Sequence, residues 1–145
     1  MKKFLVVNGP NLNLLGKREP EIYGKSTLKD IENLLIKYAK KCGVQVDFFQ
    51  SNCEGEIIEK IQKASLIYDG IIINAGAYTH TSIGIRDALT STGIPAIEVH
   101  ISNIYKREEF RHKSFLSGVV LGQITGLGII GYELALKALL QNLKK

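Results

Sequence analysis

Ile71-Ile72-Ile73-Asn74-Ala75-Gly76-Ala77-Tyr78-Thr79-His80-Thr81-Ser82 is the stretch on which the fold turns. Three consecutive β-branched residues leave no polar face, which predicts a strand buried on both sides rather than one with a wet surface. The run then stops in a polar, glycine-bearing segment, and a helix is expected from about Thr81 to Ser91. Upstream, Glu54 to about Ser65 repeats Ile57, Ile58, Ile61 and Ala64 at helical spacing, and Val44, Val46 and Phe48 alternate like a strand. Before them, Thr27 caps a helix with Asp30 three residues on. Leu28, Ile31, Leu34, Leu35, Tyr38, Ala39 and Cys42 form its apolar stripe, and Gly43 ends it. Leu5-Val6-Val7 is a second short, wholly apolar run. Downstream, Pro95 opens a strand over Ala96 to Val99, and Asn103 is placed to cap a short helix through Arg111. Val119-Val120-Leu121 reads as the fifth strand, and the last helix spans about Leu127 to Leu143.

Strands that alternate with helices imply a parallel sheet covered on both faces. The expectation is an α/β fold: a flavodoxin-like, doubly wound, five-stranded parallel sheet in the order 2-1-3-4-5. With no repeat, linker or shift of composition, residues 1–145 read as a single catalytic domain.

The chain has 145 residues, is 45% hydrophobic and 23% charged, and carries a formal net charge of +5. This is globular composition, outside the disordered and low-complexity classes. No apolar stretch is long enough for a membrane span, and Asn8-Gly9-Pro10-Asn11 cuts the first apolar run too short for a secretion signal. Cys42 and Cys53 stand in no metal or redox spacing, which fits free thiols in a reducing cytoplasm. Basic residues are scattered, and the densest group, Lys106 to Lys113, is interrupted by Glu108 and Glu109. That pattern suits a small anionic substrate better than a nucleic acid.

Ligands of an open α/β sheet bind beyond the carboxyl ends of its strands. There the chain places Asn8 to Asn13, Asn74 to Ser82, and Glu98 to Asn103, with Gln50-Ser51-Asn52 after strand 2 and Gly122-Gln123 after strand 5. Amides and imidazoles, including His80 and His100, are gathered at this edge and suit a polyhydroxylated ligand. The phosphate-binding P-loop and the dinucleotide glycine fingerprint are absent, as are metal-ligand spacing of His or Cys and the G-x-S-x-G of esterases. No cofactor and no metal are therefore expected. A flavodoxin-like nucleotide or FMN-binding module is the alternative that shares the fold, but Pro10, Leu12 and a charged loop stand where its phosphate cradle would be. From Gly9 to about Ser26 no periodicity is present. The charged segment of about residues 17–25, with Gly16 and Gly24 as hinges and Pro20 for stiffness, reads as a lid.

At these positions the sequence resembles the type II 3-dehydroquinate dehydratases over essentially its whole length. The resemblance rests on N-G-P-N-L-N-L-L-G-x-R-E-P-x-x-Y-G (Asn8 to Gly24), N-A-G-A-Y-T-H-T-S (Asn74 to Ser82), E-V-H-I-S-N (Glu98 to Asn103) and R-E-E-F-R (Arg107 to Arg111). It implies reversible anti elimination of water from 3-dehydroquinate to 3-dehydroshikimate through an enolate, in the shikimate pathway, without metal or Schiff base. Carried over by motif position, Tyr23 is the general base and Arg18 stabilises charge beside it. His100 is the general acid, and Asn11 holds a water at the enolate oxygen. Asn74, Ile101 and Ser102 bind the carboxylate. His80, Asp87 and Arg111 fix the ring hydroxyls, Asp87 reaching in from a neighbouring subunit. The resemblance also implies a homododecamer built as a tetramer of trimers.

The chemistry is physically coherent. A free phenol ionises near pH 10, so a tyrosine base needs a positive neighbour and a dry site. Arg18 sits in the same loop as Tyr23, so a closing lid delivers both. Glu98 is two residues from His100 on one strand, hence on the same face, and is expected to orient or charge the imidazole.

Overall fold

The computed structural model describes residues 1–144. The strands are β1 (Lys3–Asn8), β2 (Gln45–Gln50), β3 (Gly70–Asn74), β4 (Ala96–His100) and β5 (Gly122–Thr125). The helices are α1 (Pro20–Tyr23), α2 (Leu28–Cys42), α3 (Glu54–Ala64), α4 (Ile83–Thr92) and α5 (Ile130–Leu143), with single 3-10 turns between them. The sheet runs β2-β1-β3-β4-β5 and every pairing is parallel, as the alternation of elements predicts.

Period-two alternation sorts each central strand between two cores. Phe4, Val6, Ile72, Ile97 and Val99 pack against Ile31 and Leu35 of α2 and Tyr132, Leu136 and Leu139 of α5. Leu5, Val7, Ile71, Ile73 and Ala96 pack against Ile57 and Ile61 of α3 and Ile85 and Leu89 of α4. Burial on both faces is why these strands read as unbroken apolar runs.

Local chemistry sets the boundaries. At α2 the Asp30 N–H donates to Thr27 Oγ1 (3.2 Å) and the Thr27 N–H to Asp30 Oδ2 (2.9 Å), a reciprocal capping box. Ser82 caps α4 by accepting the Ile85 N–H at 2.9 Å, so this helix begins at Ile83 rather than Thr81. The last helix begins at Ile130, not Leu127, because Gly126 and Gly128 hold left-handed backbone at φ 87° and 72°. The long loop after β1 is not featureless: it holds a 3-10 turn at Leu12–Leu14 and the four-residue α1.

The fifth strand needs a correction. Val119 ends a 3-10 turn, and the strand lies at Gly122–Thr125. Val119 and Val120 are apolar because they pack, half-buried, on the α3–α4 core. The true strand is a half-exposed sheet edge, and its polar composition hid it. The shift carries Gln123 from a strand end into the ladder, opposite Glu98 of β4.

Candidate active site

Three loops meet beyond the carboxyl edge of the sheet. The loops after β1 and β3 are pressed together: the Gly9 N–H donates to the Asn74 carbonyl at 2.8 Å, and a Cβ on Gly9 would collide with the Ala75 backbone. With the loop after β4 they enclose a cavity of about 280 Å³. Asn11, Arg18 and Tyr23 reach it from the first loop, and Asn74 and His80 from the second. His100, Ile101, Ser102, Arg107 and Arg111 line it from the third.

Tyr23 ends α1 and has two guanidiniums close to its ring. Arg107 Nη1 donates to its hydroxyl oxygen at 2.6 Å, and the Arg107 and Arg18 guanidinium carbons stand 5.0 and 4.9 Å from its ring centre. The phenol oxygen of Tyr23 thus accepts from a donor that stays charged. Arg107 is the more buried of the pair, with 11% side-chain exposure against 32% for Arg18, whose Nε lies 3.6 Å from the Glu19 carboxylate.

His100 is buried, and its Nε2 donates to Glu98 Oε2 at 2.5 Å, which leaves Nδ1 as the ring nitrogen free for the cavity. Glu98 is fully buried and richly solvated by protein. Ser114 Oγ reaches both of its oxygens, Ser117 Oγ donates to Oε1, and Gln123 Nε2 donates to Oε2 at 2.9 Å. Burial pushes this carboxyl up. The hydrogen bond and charge of His100, with the donors from Gln123 and Ser114, outweigh it and hold the group below the usual carboxylate range. Glu98 is thus an anion that accepts the His100 Nε2–H and fixes the ring in place.

His80 lies 6.3 Å from His100, ring centre to centre, with the planes 22° apart. A carbonyl only accepts, so the 2.8 Å contact to the Lys113 carbonyl places a hydrogen on His80 Nδ1. Burial lowers the basicity of His80, and the positive neighbours His100 and Arg111 lower it further, against the opposing Lys113 carbonyl and Glu98. It therefore favours the neutral form. Among the described residues no group of three or more His, Cys, Asp or Glu side chains is arranged to hold a metal ion, and no helix is long and apolar enough to cross a membrane.

The family profile described as Dehydroquinase class II matches residues 2–140. The chain belongs to the class II dehydroquinase family. It is 58% identical over 141 residues to the 3-dehydroquinate dehydratase of Prochlorococcus marinus (strain NATL1A), covering 97% of each chain. It is 61% identical over 137 residues to that of Endomicrobium trichonymphae, covering 94% of this chain and 96% of the relative. Among solved structures, the type II dehydroquinase from Butyrivibrio crossotus DSM 2876 superposes with a TM-score of 0.93 at 52% identity, over 95% of this chain and 97% of that one.

Against this dehydroquinase frame, the residues expected from sequence fall into three groups. Asn11, Arg18, Tyr23, Asn74, His80, His100, Ile101, Ser102 and Arg111 all line the cavity. Glu98 lies behind His100 rather than in the cavity wall. Asp87 is exposed on α4 and does not line the cavity of its own chain. Arg107 is the residue that sequence reasoning passed over. It opens the R-E-E-F-R motif of which only Arg111 was carried forward, and the signal was a second arginine one helical turn before the first.

Proposed function

We propose that this chain catalyses the reversible elimination of water from 3-dehydroquinate, giving 3-dehydroshikimate, as a hydro-lyase of the shikimate pathway. The observation that carries the mechanism is the pairing, in one cavity, of a phenol bonded to a guanidinium and an imidazole bonded to a buried carboxylate. The phenolate of Tyr23 takes a proton from C2, which the C3 carbonyl acidifies, and the electron pair passes into an enolate. Asn11 holds the water that stabilises the enolate oxygen. As the enolate collapses, the C1–O bond breaks, and His100 gives the departing oxygen its proton through Nδ1, so that water leaves. Ile101, Ser102 and Asn74 bind the carboxylate, and His80 and Arg111 the ring hydroxyls. No step requires a metal or an organic cofactor.

Residues 17–25 act as a lid that carries Arg18 and Tyr23 onto the substrate. The left-handed glycines Gly16 and Gly24, at φ 91° and 80°, bracket this segment and support the reading. Asp87, exposed on α4, completes a neighbouring chain's cavity in a tetramer of trimers, and the exposed thiols Cys42 and Cys53 suit the cytoplasm. The deciding experiment is an absorbance assay for the conjugated enone on adding 3-dehydroquinate. Purified, folded protein that forms no enone, with and without EDTA, sinks the assignment.

A further inference from the structure

Tyr132 is a fully buried tyrosine in the first turn of α5, and its hydroxyl is not solvated. Its ring belongs to the apolar core beneath the sheet, but its oxygen reaches the strand ends. It donates to Asn8 Oδ1 at 2.6 Å and accepts from Asn74 Nδ2 at 2.9 Å. Asn8 and Asn74 are register partners at the ends of β1 and β3, and both are buried. The other end of the Asn74 amide is also held, because the Gly76 N–H donates to Asn74 Oδ1 at 3.1 Å.

These three bonds define a polarity. Asn8 Oδ1 can only accept, so the phenol hydrogen points to Asn8, and the phenol's lone pairs are left for Asn74 Nδ2. Turning the Asn74 amide over would set its oxygen against those lone pairs and its NH2 against the Gly76 N–H, two unfavourable contacts at once. Burial raises the phenol far above its usual ionisation range, only partly opposed by the Asn74 hydrogen bond, so Tyr132 keeps the proton the arrangement needs. Asn74 lines the cavity, and its amide is fixed end to end with one NH2 hydrogen uncommitted.

We infer that Tyr132 is a positioning residue for substrate binding: its hydroxyl locks the Asn74 amide so that a donor is offered to the substrate's anionic group. The inference rests on the reading of the cavity as the 3-dehydroquinate site and adds a helix residue that touches no substrate. Binding by Asn74 acts alike in ground and transition states, so its misorientation raises KM and leaves kcat nearly unchanged.

The test is a double-mutant cycle on kcat and KM with Tyr132→Phe and Asn74→Ala. Tyr132→Phe keeps the ring and removes the oxygen. The expected result is a KM raised about 2- to 12-fold, the worth of one neutral hydrogen bond, with kcat within about twofold. The double variant should be no worse than Asn74→Ala alone, and the Asn74 side-chain NH2 signals in 15N spectra should broaden or shift in Tyr132→Phe. Unchanged KM in a folded Tyr132→Phe protein, or effects that multiply in the double variant, overturn the inference and leave Tyr132 a core residue. Should Tyr132→Phe not fold, Asn8→Ala leaves the phenol in place without its acceptor, and the same KM criterion decides. A wild-type protein with no turnover would instead sink the functional reading, so the two failures are distinguishable.

Discussion

Replacing Glu98 with glutamine removes a charge and little else. The carboxylate is fully buried. Oε2 faces two fixed N–H donors, His100 Nε2 at 2.5 Å and Gln123 Nε2 at 2.9 Å, whereas Oε1 meets only the hydroxyls of Ser114 and Ser117. Ser114 Oγ already accepts the Leu116 and Ser117 N–H groups, whereas Ser117 Oγ has a lone pair to spare, so a glutamine settles with its oxygen toward His100 and its NH2 toward Ser117. The hydrogen bond to His100 survives as a neutral one. A bond to a charged partner is worth about 1.5–3 kcal/mol and a neutral one about 0.5–1.5, so between mid-range values the loss is about 1.3 kcal/mol, or nearly tenfold in rate. Coulomb attraction over about 4 Å at an effective dielectric of about 20 sets a ceiling near 4 kcal/mol, roughly a thousandfold in rate. Glu98→Gln should therefore lower kcat by between about tenfold and a thousandfold, with KM within about twofold. An unchanged kcat, with only the melting temperature reduced, would show that Glu98 supports the fold and not the acid.

Tyr23→Phe should fold normally and lose at least about a hundredfold in kcat, the ordinary scale of general base catalysis; near-normal turnover would remove Tyr23 as the base. Arg107→Ala should lower kcat more than Arg18→Ala, because only Arg107 bonds the Tyr23 oxygen and it is the less exposed of the two. Arg107→Lys should recover only part of the loss, lacking the planar fork, and the reverse ranking would return the activating role to Arg18. Glu98 titrates below its unfolded value, so its contribution to stability is full above about pH 4.5 and is lost as pH falls through the folded value. Thermal melts from pH 3 to 7 should therefore show a shallower acid decline in Glu98→Gln, and identical slopes would refute the coupling. Sedimentation should give a mass far above the 16.1 kDa of one chain, and Asp87→Ala should depress activity although Asp87 lies outside its own chain's cavity; a fully active monomer would contradict a shared site.

Much of this protein is legible along the chain because its signals are local. Three consecutive isoleucines, β-branched and bounded by turn residues, favour a strand with two dry faces, Thr27 and Asp30 cap a helix within one turn, and strand ends carry the polar groups of an α/β site. The strand-end rule and the resemblance carried by four motifs together pointed to Tyr23, His100 and seven other residues that line the cavity. What the chain hid is what depends on partners distant in sequence. The fifth strand is a half-exposed edge whose identity comes from its ladder with β4, so the apolar Val119-Val120-Leu121 run drew attention away from it. Moving that strand by three residues is what sets Gln123 on Glu98. Arg107 and Tyr23 are 84 positions apart, and Asn74 and Tyr132 are 58 apart. Composition and periodicity report which residues are apolar and on which face they lie. They carry nothing about which buried polar atoms meet, because a hydrogen bond is specified to a fraction of an ångström by the packing of whole elements. The strand order and the site's location thus follow from the sequence, whereas the buried carboxylate and its serine and glutamine donors behind His100, the guanidinium on Tyr23 and the orientation of Asn74 were decided by tertiary structure.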